Sequence, residues 1–358
     1  MTSISIARLF HTVSTLFAFV VVAVLITPAG AKEPKPLFQN SDMIKIRLEA
    51  PLKDLIRKSE QSMDPYPATL IVEGANPEQH AIMLSARGNS RRNRGLCTFP
   101  PLRVAFDEKP GDGSIFDGQK RLKLVTHCRG SKSYQQYYLL EYTAYKLSNT
   151  VTPHSLNVRM ADVDYVEANS GKTTIQRIGF FIEDTDDAAK RNDMKEIDIP
   201  DITVSQILPT AAAQYSLFQY MIGNLDWSMH NGPDGNDCCH NTKLIGASAH
   251  AQSDFIPVPY DFDYSGLVNT PYAVAPEELR IKTVRKRRYR GFCQHNDEAR
   301  LQAATFRENR QAFYEAIRSV PSLSERNIKS SEKYLDKFFE DIEDNEQLER
   351  RLFSACRD

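Results

Sequence analysis

The stretch GNLDWSMHN, residues 223–231, directly follows a predicted helix, and the stretch IPVPYDFDYSG, residues 256–266, is a short predicted strand that ends in acids. Between them, TKLI at residues 242–245 predicts a strand that would pair with the second stretch as a hairpin. An aspartate, a nearby asparagine, a hairpin and a final aspartate follow the order used in phosphoryl transfer. The two stretches therefore indicate a site that contains Asp226 and Asp261.

The chemistry assigns a role to each of these side chains. Asp226 is the candidate catalytic residue, because one carboxylate must orient the attacking hydroxyl. Asp261, with support from Asp263, would hold Mg²⁺ together with an asparagine oxygen. That asparagine stays open: Asn231 has the expected spacing from Asp226, whereas Asn241 stands directly before the predicted strand. Each acid alone is equally typical of a turn, so the order of the two segments is what favours a site.

The first half of the chain would supply the residues that bind a nucleotide. Lys123 lies on a predicted strand and Glu141 lies in the helix predicted over residues 134–149. In kinase-like catalysis such a lysine holds the phosphates and such a glutamate orients the lysine. The turn that contains Arg87 and Asn89 would face the phosphates with free backbone amides. Ordinary surface positions are the alternative for Lys123 and Glu141.

The predicted elements divide the chain into three regions. Residues 1–31 combine Arg8, an apolar run and a small-residue cleavage site, which is the pattern of a removable export signal. An uncleaved membrane anchor is the alternative, but the apolar run is shorter than the roughly 20 residues that a spanning helix needs. Residues 32–190 are rich in strand patterns and residues 191–358 are mainly helical. We therefore predict an α+β protein with a β-rich N-terminal lobe and a mainly helical C-terminal lobe.

The six cysteines all follow the predicted signal and would meet an oxidising compartment. Cys97 and Cys128 flank neighbouring predicted strands, so we expect them to form a disulfide. Two more bonds would join Cys238, Cys239, Cys293 and Cys356, in a pairing that the sequence leaves open. A zinc site at Cys238-Cys239-His240 is the alternative, although adjacent ligands are not the usual spacing of such sites.

Composition narrows the class of protein and its partners. Charged residues make up 25% of the chain and hydrophobic residues 41%, which excludes disordered, collagen-like and polytopic membrane proteins. Lysine and arginine total 45 against 46 acids, so we expect no nucleic-acid partner. No stretch after the signal is long and apolar enough to span a membrane, so we expect no stable membrane span once the signal is removed. The basic run between Arg280 and Arg290 would suit an acidic substrate or an anionic surface, or is a solvated segment.

From about residue 85 to residue 266, the order of these segments resembles that of the spore-coat-protein-H-like (CotH) atypical protein kinases. The resemblance is carried by RGNS (87–90), LKL (122–124), LEYTAYKL (140–147), GFFIE (179–183), NLDW (224–227) and PYDFD (259–263). It implies a two-lobed atypical protein-kinase-like fold, ATP with Mg²⁺ or Mn²⁺, and phosphorylation of secreted proteins. It also implies that Asp226 is the catalytic aspartate and that Asp261 binds the metal.

These inferences combine into an expected function with two open alternatives. We expect an exported kinase, periplasmic or extracellular, that phosphorylates a hydroxyl of a secreted or envelope protein. Two features depart from the family pattern: FPPL at residues 99–102 lacks the usual basic residues, and residues 232–240 resemble an insertion with two cysteines. A non-catalytic envelope protein that binds or scaffolds, stapled by disulfides, is therefore the main alternative. A metal-dependent hydrolase would use the same acids.

Overall fold

Alternating apolar and polar residues build most of the strands, as the sequence predicts. The computed structural model describes residues 32–232 and 238–358, so the predicted export signal lies outside the described residues. The strands are β1 (Ile44–Ala50), β2 (Tyr66–Glu73), β3 (Glu78–Ala86), β4 (Leu102–Phe106), β5 (Arg121–Val125), β6 (Val158–Glu167), β7 (Lys172–Ile182), β8 (Lys195–Ile197), β9 (Thr242–Gly246) and β10 (Ile256–Pro259). The predicted hairpin is confirmed as β9 and β10, in which Thr242 lies opposite Pro259.

The first seven strands form a closed barrel in the order β1-β2-β3-β4-β5-β7-β6. Neighbouring strands are antiparallel except at the closing pair, where β1 runs parallel to β6 with Ile46 opposite Val163. The barrel interior is filled by apolar side chains that point inward from alternate positions, such as Leu48, Leu84 and Leu122. The outward positions of the same strands, including Lys123 on β5, remain available to the rest of the molecule.

The closed barrel corrects our expectation of a two-lobed kinase-like fold. We expected a β-rich N-terminal lobe and a mainly helical C-terminal lobe. The pairing of β1 with β6 instead closes the first sheet and leaves it without free edges. The described residues also form one compact unit. The sequence could not indicate this closure, because it depends on a parallel pair between strands more than a hundred residues apart.

Eight helices of the described residues pack beside and beyond the barrel. They are α1 (Leu52–Lys58), α2 (Gln135–Val151), α3 (Thr185–Arg191), α4 (Pro209–Ile222), α5 (Asn296–Glu308), α6 (Arg310–Arg318), α7 (Glu325–Asp341) and α8 (Asn345–Arg351). Helix α2 is buried over most of its length, and its Tyr142 and Tyr145 rings pack on Phe180 of β7 with centroids 5.4 and 5.9 Å apart. This contact joins the barrel to the helices. None of the helices in the described ranges is both long and apolar enough to cross a membrane.

Helix α4 ends where the sequence predicts, and the ending directs the chain into the candidate site. Gly223 adopts a left-handed conformation with φ of 65°, as C-terminal glycines of helices commonly do. A β-carbon at this position would lie 2.0 Å from the Tyr334 hydroxyl oxygen, so only glycine fits. The segment with Asp226 begins at this turn.

All six cysteines are paired in disulfides. The predicted Cys97–Cys128 bond is confirmed, and the remaining cysteines pair as Cys238–Cys239 and Cys293–Cys356. Because the sulfurs of Cys238 and Cys239 are bonded to each other, they cannot act as the thiolate ligands of the zinc site that we considered as an alternative.

Candidate functional site

The second acidic stretch follows β10 and is held by helix α2. Asp261 has φ of 62°, so the chain turns sharply as it leaves the strand. Its backbone N–H donates to the Tyr145 hydroxyl of α2 over 3.1 Å. The Asp261 side chain is partly exposed, and it forms no ion pair with any described residue. Burial and the charge of Asp263 raise the pKa of Asp261, and the charges of Arg91 and Arg87 oppose this only in part.

Asp263, by contrast, belongs to a buried ion network. Arg91 donates through Nε to Asp263 Oδ2 over 2.9 Å and through Nη2 to Glu141 Oε2. The Tyr272 hydroxyl donates to the same Asp263 oxygen over 2.8 Å. Arg91, Glu141 and Asp263 are 7%, 2% and 4% exposed. One buried cation thus serves two buried carboxylates, which leaves an excess of negative charge beside Asp261.

The electrostatics of this network follow from that imbalance. Burial alone would lower the pKa of Arg91, but the charges of Asp263 and Glu141 raise it well above its usual value. Burial raises the pKa of Glu141, and Arg91 opposes the change. The arginine is therefore a permanent cation, and its charge favours the ionised form of Glu141 inside the protein.

Asp226 is oriented by the residues that precede β9. Its Oδ1 lies 2.7 Å from His240 Nε2, and Asn241 Nδ2 donates to both its Oδ2, over 3.0 Å, and its backbone carbonyl, over 2.8 Å. The hydrogen bond to Asp226 raises the pKa of His240, although burial opposes it. The Asp226 side chain is 31% exposed. It is thus fixed in orientation while one side of it remains open to solvent.

The two acidic stretches meet at this place. The charges of Asp226 and Asp261 both raise the pKa of His240. Tyr264 lies within electrostatic reach of the same two acids and of Asp263, although burial is the main cause of its raised pKa. Asp226 and Asp261 therefore lie within electrostatic reach of the same two side chains, His240 and Tyr264, although they are 35 positions apart in the sequence.

Lys123 lies on the outer face of the barrel and faces this site. Burial and the nearby charge of Arg87 lower the pKa of Lys123 to about 8, and Asp184 and Asp261 oppose the change. Its Nζ lies 5.0 Å from the ring centroid of Tyr260, next to Asp261. Arg103 of β4 stands opposite Lys123 in the sheet register.

A cavity of about 150 Å³ lies over Lys123, between the barrel and the small sheet of β8, β9 and β10. Its lining includes four cations, Arg103, Arg121, Lys123 and Lys243, together with the acids Asp184 and Glu196. Arg121 pairs with Asp184 and Lys243 pairs with Glu196. Lys123 and Arg103 form no ion pair within the described residues, so they are the charges of the lining that would suit an anionic ligand.

The ion pair that we expected between Lys123 and Glu141 does not form among the described residues. Glu141 binds Arg91 instead, because its side chain points from α2 towards the buried network and not towards the outer face of β5. Arg87 follows β3 and is half-buried; burial lowers its pKa, and the charge of Asp261 opposes this. The expected proximity of Lys123, Arg87 and Asp261 is therefore observed, with a different partner for Glu141.

The remaining predicted residues, Asn241, Asn231 and Asn89, differ in whether they contact the acids. Asn241 contacts Asp226 directly. Asn231 is exposed, and its Oδ1 lies 2.9 Å from His230 Nδ1, with no hydrogen bond to Asp226 or Asp261 among the described residues. Asn89 is exposed at the start of a short 3₁₀ turn and makes no side-chain contact with the acids. Contact geometry thus favours Asn241 over Asn231 as the metal-binding asparagine.

Sequence reasoning missed two members of the site. Arg91 lies in a run with Arg92 and Arg94, and nothing in the local pattern distinguishes the buried arginine from its exposed neighbours. His240 was considered only beside the cysteines, although its position next to Asn241 would have suggested a role at the hairpin. The partner of Arg91, Glu141, lies 50 positions away, so no local pattern could indicate that pair, whereas His240 and Asp226 are 14 positions apart.

The oxygen atoms present suit a hard cation that takes only one or two ligands from the protein and the others from water and substrate. Within residues 32–232 and 238–358, no group of three or more His, Cys, Asp or Glu side chains is arranged to hold a metal. Asp261 offers carboxylate oxygens without a cationic partner, and Asn241 donates through Nδ2, which leaves its Oδ1 as an acceptor. Mg²⁺ is commonly bound by one or two protein oxygens together with phosphate and water.

Comparison with solved structures shows a distant likeness to a kinase. No protein-family model matches the chain, and no curated protein matches it. Among solved structures, the chain is similar to a Helicobacter pylori proinflammatory kinase, CtkA, with 10% identity and a TM-score of 0.38, over 70% of this chain and 94% of that one. A likeness at this score does not show a shared fold, so the chain is similar to a kinase without being placed in a family.

Proposed function

We propose that the protein transfers the γ-phosphoryl group of ATP, with Mg²⁺ or Mn²⁺, to a hydroxyl of a secreted or envelope protein. One observation carries the proposal: Asp226, oriented by His240 and Asn241, lies near Asp261, which in turn lies near Lys123 in the wall of a cavity. A fixed carboxylate, an oxygen site for a metal and a cationic wall are the parts that phosphoryl transfer needs.

Each residue of the site has a role in this proposal. Asp226 accepts a hydrogen bond from the acceptor hydroxyl and orients its oxygen towards the phosphorus. Asp261 and Asn241 would hold the divalent metal, which neutralises phosphate charge when it is bound. Lys123 contacts phosphate oxygens, with Arg87 and Arg103 adding positive charge. Glu141 acts indirectly, because it helps Arg91 to position Asp263 and the turn after β10.

Export of the protein is part of the same proposal. Three disulfides persist in oxidising compartments and are rare in the cytosol. A periplasmic or extracellular location would also explain why the acceptor is expected to be a secreted or envelope protein. The export signal itself remains a prediction from residues 1–31.

Thermal unfolding with ATP and Mg²⁺ tests the nucleotide and metal sites. We expect the ligands together to stabilise the wild-type protein, by about 2.7 kcal/mol when ATP is a hundredfold above its dissociation constant. Asp261→Asn should lose this stabilisation, because the amide is a neutral and weaker metal ligand. Asp254→Asn, an exposed acid in the loop before β10, is the matched control and should respond like wild type. Equal responses of wild type and Asp261→Asn would contradict the proposed metal site.

Nucleotide binding should also weaken above pH 8, because Lys123 must be protonated to bind phosphate. Its pKa of about 8 means that it is a cation at pH 7 and is mostly neutral at pH 9. We expect the affinity for ATP to be about tenfold lower at pH 9 than at pH 7. Lys123→Arg, which stays charged throughout, should remove this step. A step of the same size in Lys123→Arg would assign the titration to another group.

A non-catalytic binding or scaffold function is the second candidate, and one observation favours it. Arg91, and not Lys123, is the partner of Glu141, so the lysine is not locked in the arrangement used by protein kinases. A protein of this kind would bind nucleotide weakly or not at all. The absence of both ATP-dependent stabilisation and phosphate transfer would support it.

A further inference from the structure

Two arginines flank the indole ring of Trp227, the residue directly after Asp226. The guanidinium carbons of Arg290 and Arg357 lie 5.1 and 5.3 Å from the ring centroid. Arg290 donates to the carbonyl of Leu225, directly before Asp226, and Arg357 donates through Nε to the carbonyl of Arg290 over 2.7 Å. The pair therefore lies beside the proposed catalytic carboxylate.

Among the residues that the structure describes, neither arginine forms an ion pair with an acid, and both are only half-buried. Two of their nitrogens, Arg290 Nε and Arg357 Nη2, are buried without a hydrogen-bond acceptor. The charges of Glu278 and Asp226 raise the pKa of Arg290 without direct contact, although burial lowers it.

The two like charges also act on each other. Burial and the charge of Arg290 lower the pKa of Arg357 to about 10. Placing two cations together without an acid costs free energy. A bound anion would offset the repulsion between the two cations and would accept hydrogen bonds from the unpaired donors.

The position of the pair is fixed by the backbone. Residues Phe292 and Arg357 form a parallel β-bridge, in which Arg357 N–H donates to Gly291 O and Cys293 N–H donates to Arg357 O, each over 2.8 Å. The Cys293–Cys356 disulfide closes the same contact covalently. Because the arginines are held before any ligand arrives, binding would lose little conformational entropy.

Two other arginines of the basic run also donate to backbone carbonyls. Arg287 donates to the carbonyls of Tyr220, Met221 and Tyr334, and Arg285 donates to that of Gly266. Lys286 and Arg288 are exposed and would add to the positive field. Arg290 differs from these residues in its place, because its carbonyl partner, Leu225, directly precedes Asp226.

We propose that Arg290 and Arg357 bind a carboxylate of the acceptor, so that the substrate is an acidic protein segment with its hydroxyl beside Asp226. The proposal rests on the proposed function for the role of Asp226, but the binding step itself needs neither nucleotide nor metal. It gives the acceptor a chemical class: a serine- or threonine-containing segment flanked by aspartate or glutamate.

Trp227 provides a direct test, because it is the one tryptophan of the sequence. A serine peptide rich in glutamate and free of aromatic residues is titrated into the full chain without ATP or metal, and tryptophan emission is recorded. Neutralising the two cations beside the ring should change the emission. We expect the glutamate peptide to bind at least about tenfold more tightly than the same peptide with glutamine, and raised salt to weaken only the former.

Variants assign the binding to the pair. Arg357→Gln should weaken the glutamate peptide about tenfold and leave the glutamine peptide unchanged, whereas Arg288→Gln, an exposed neighbour, should have little effect. Arg357→Lys keeps the charge and should recover part of the affinity, provided that thermal unfolding shows each variant to be folded. Equal affinities of the two peptides for wild type would overturn the proposal. Binding of the acidic peptide by a protein that fails to bind ATP would contradict only the proposed kinase function.

Discussion

Replacing Arg91 with methionine is expected to lower the free energy of unfolding by about 3–5 kcal/mol. Methionine fills a similar volume but removes the cation that serves both Glu141 and Asp263. Two carboxylates would then remain buried beside Asp261 without a counter-charge, and burial already raises the pKa of Glu141 while Arg91 is present. Chemical denaturation at pH 7 measures the loss.

Matched variants separate the ion network from the loss of packing. Arg94→Met removes an exposed arginine of the same loop and should change the free energy of unfolding by less than about 0.5 kcal/mol. Glu141→Gln in the Arg91→Met background should recover part of the loss, because one uncompensated charge is removed. Additive effects of the two substitutions would show that Arg91 and Glu141 do not interact.

Asp226→Asn is expected to reduce the rate of phosphate transfer by about 10²–10⁴. Asparagine has a similar shape but cannot accept the proton of the acceptor hydroxyl. It should leave ATP-dependent stabilisation nearly unchanged, because Asp226 contacts His240 and Asn241 and is not assigned to the phosphates. The measurement is transfer of labelled γ-phosphate to the acidic serine peptide at saturating ATP.

The control for this variant is Asp254→Asn, which should transfer phosphate at the wild-type rate. The informative comparison is between kcat and nucleotide binding: a variant that loses both has lost the site or the fold, and not only the catalytic group. Transfer at the wild-type rate by Asp226→Asn would remove Asp226 from the proposed mechanism.

Local patterns in the sequence predicted the elements better than their arrangement. The β9–β10 hairpin and the end of α4 at Gly223 follow from apolar alternation and from a glycine stop, both of which act within a few residues. The closed barrel does not, because the β1–β6 pair forms between distant strands whose own sequences fit an open sheet equally well. The short β8, and α1 after Pro51, lack a pattern long enough to recognise.

The candidate site divides in the same way. Asp226 and Asp261 were predicted from their order along the chain; both act on His240, and Asp261 also acts on Lys123. The partner of Glu141 was not predicted, because Glu141 pairs with the buried Arg91 and not with the expected Lys123. Sequence order can indicate which residues reach a site, but the choice among competing charges depends on which side chain is desolvated with which partner.

The Cys293–Cys356 bond has a consequence for how the chain tolerates cleavage. It joins residues 63 positions apart, so helices α5 to α8 lie within one covalent ring. A protease that cuts any single exposed turn inside this ring opens the loop without releasing a fragment. Arg357 would then remain attached beside Trp227 after such a cut, so a single nick in this region would leave the arginine pair in place.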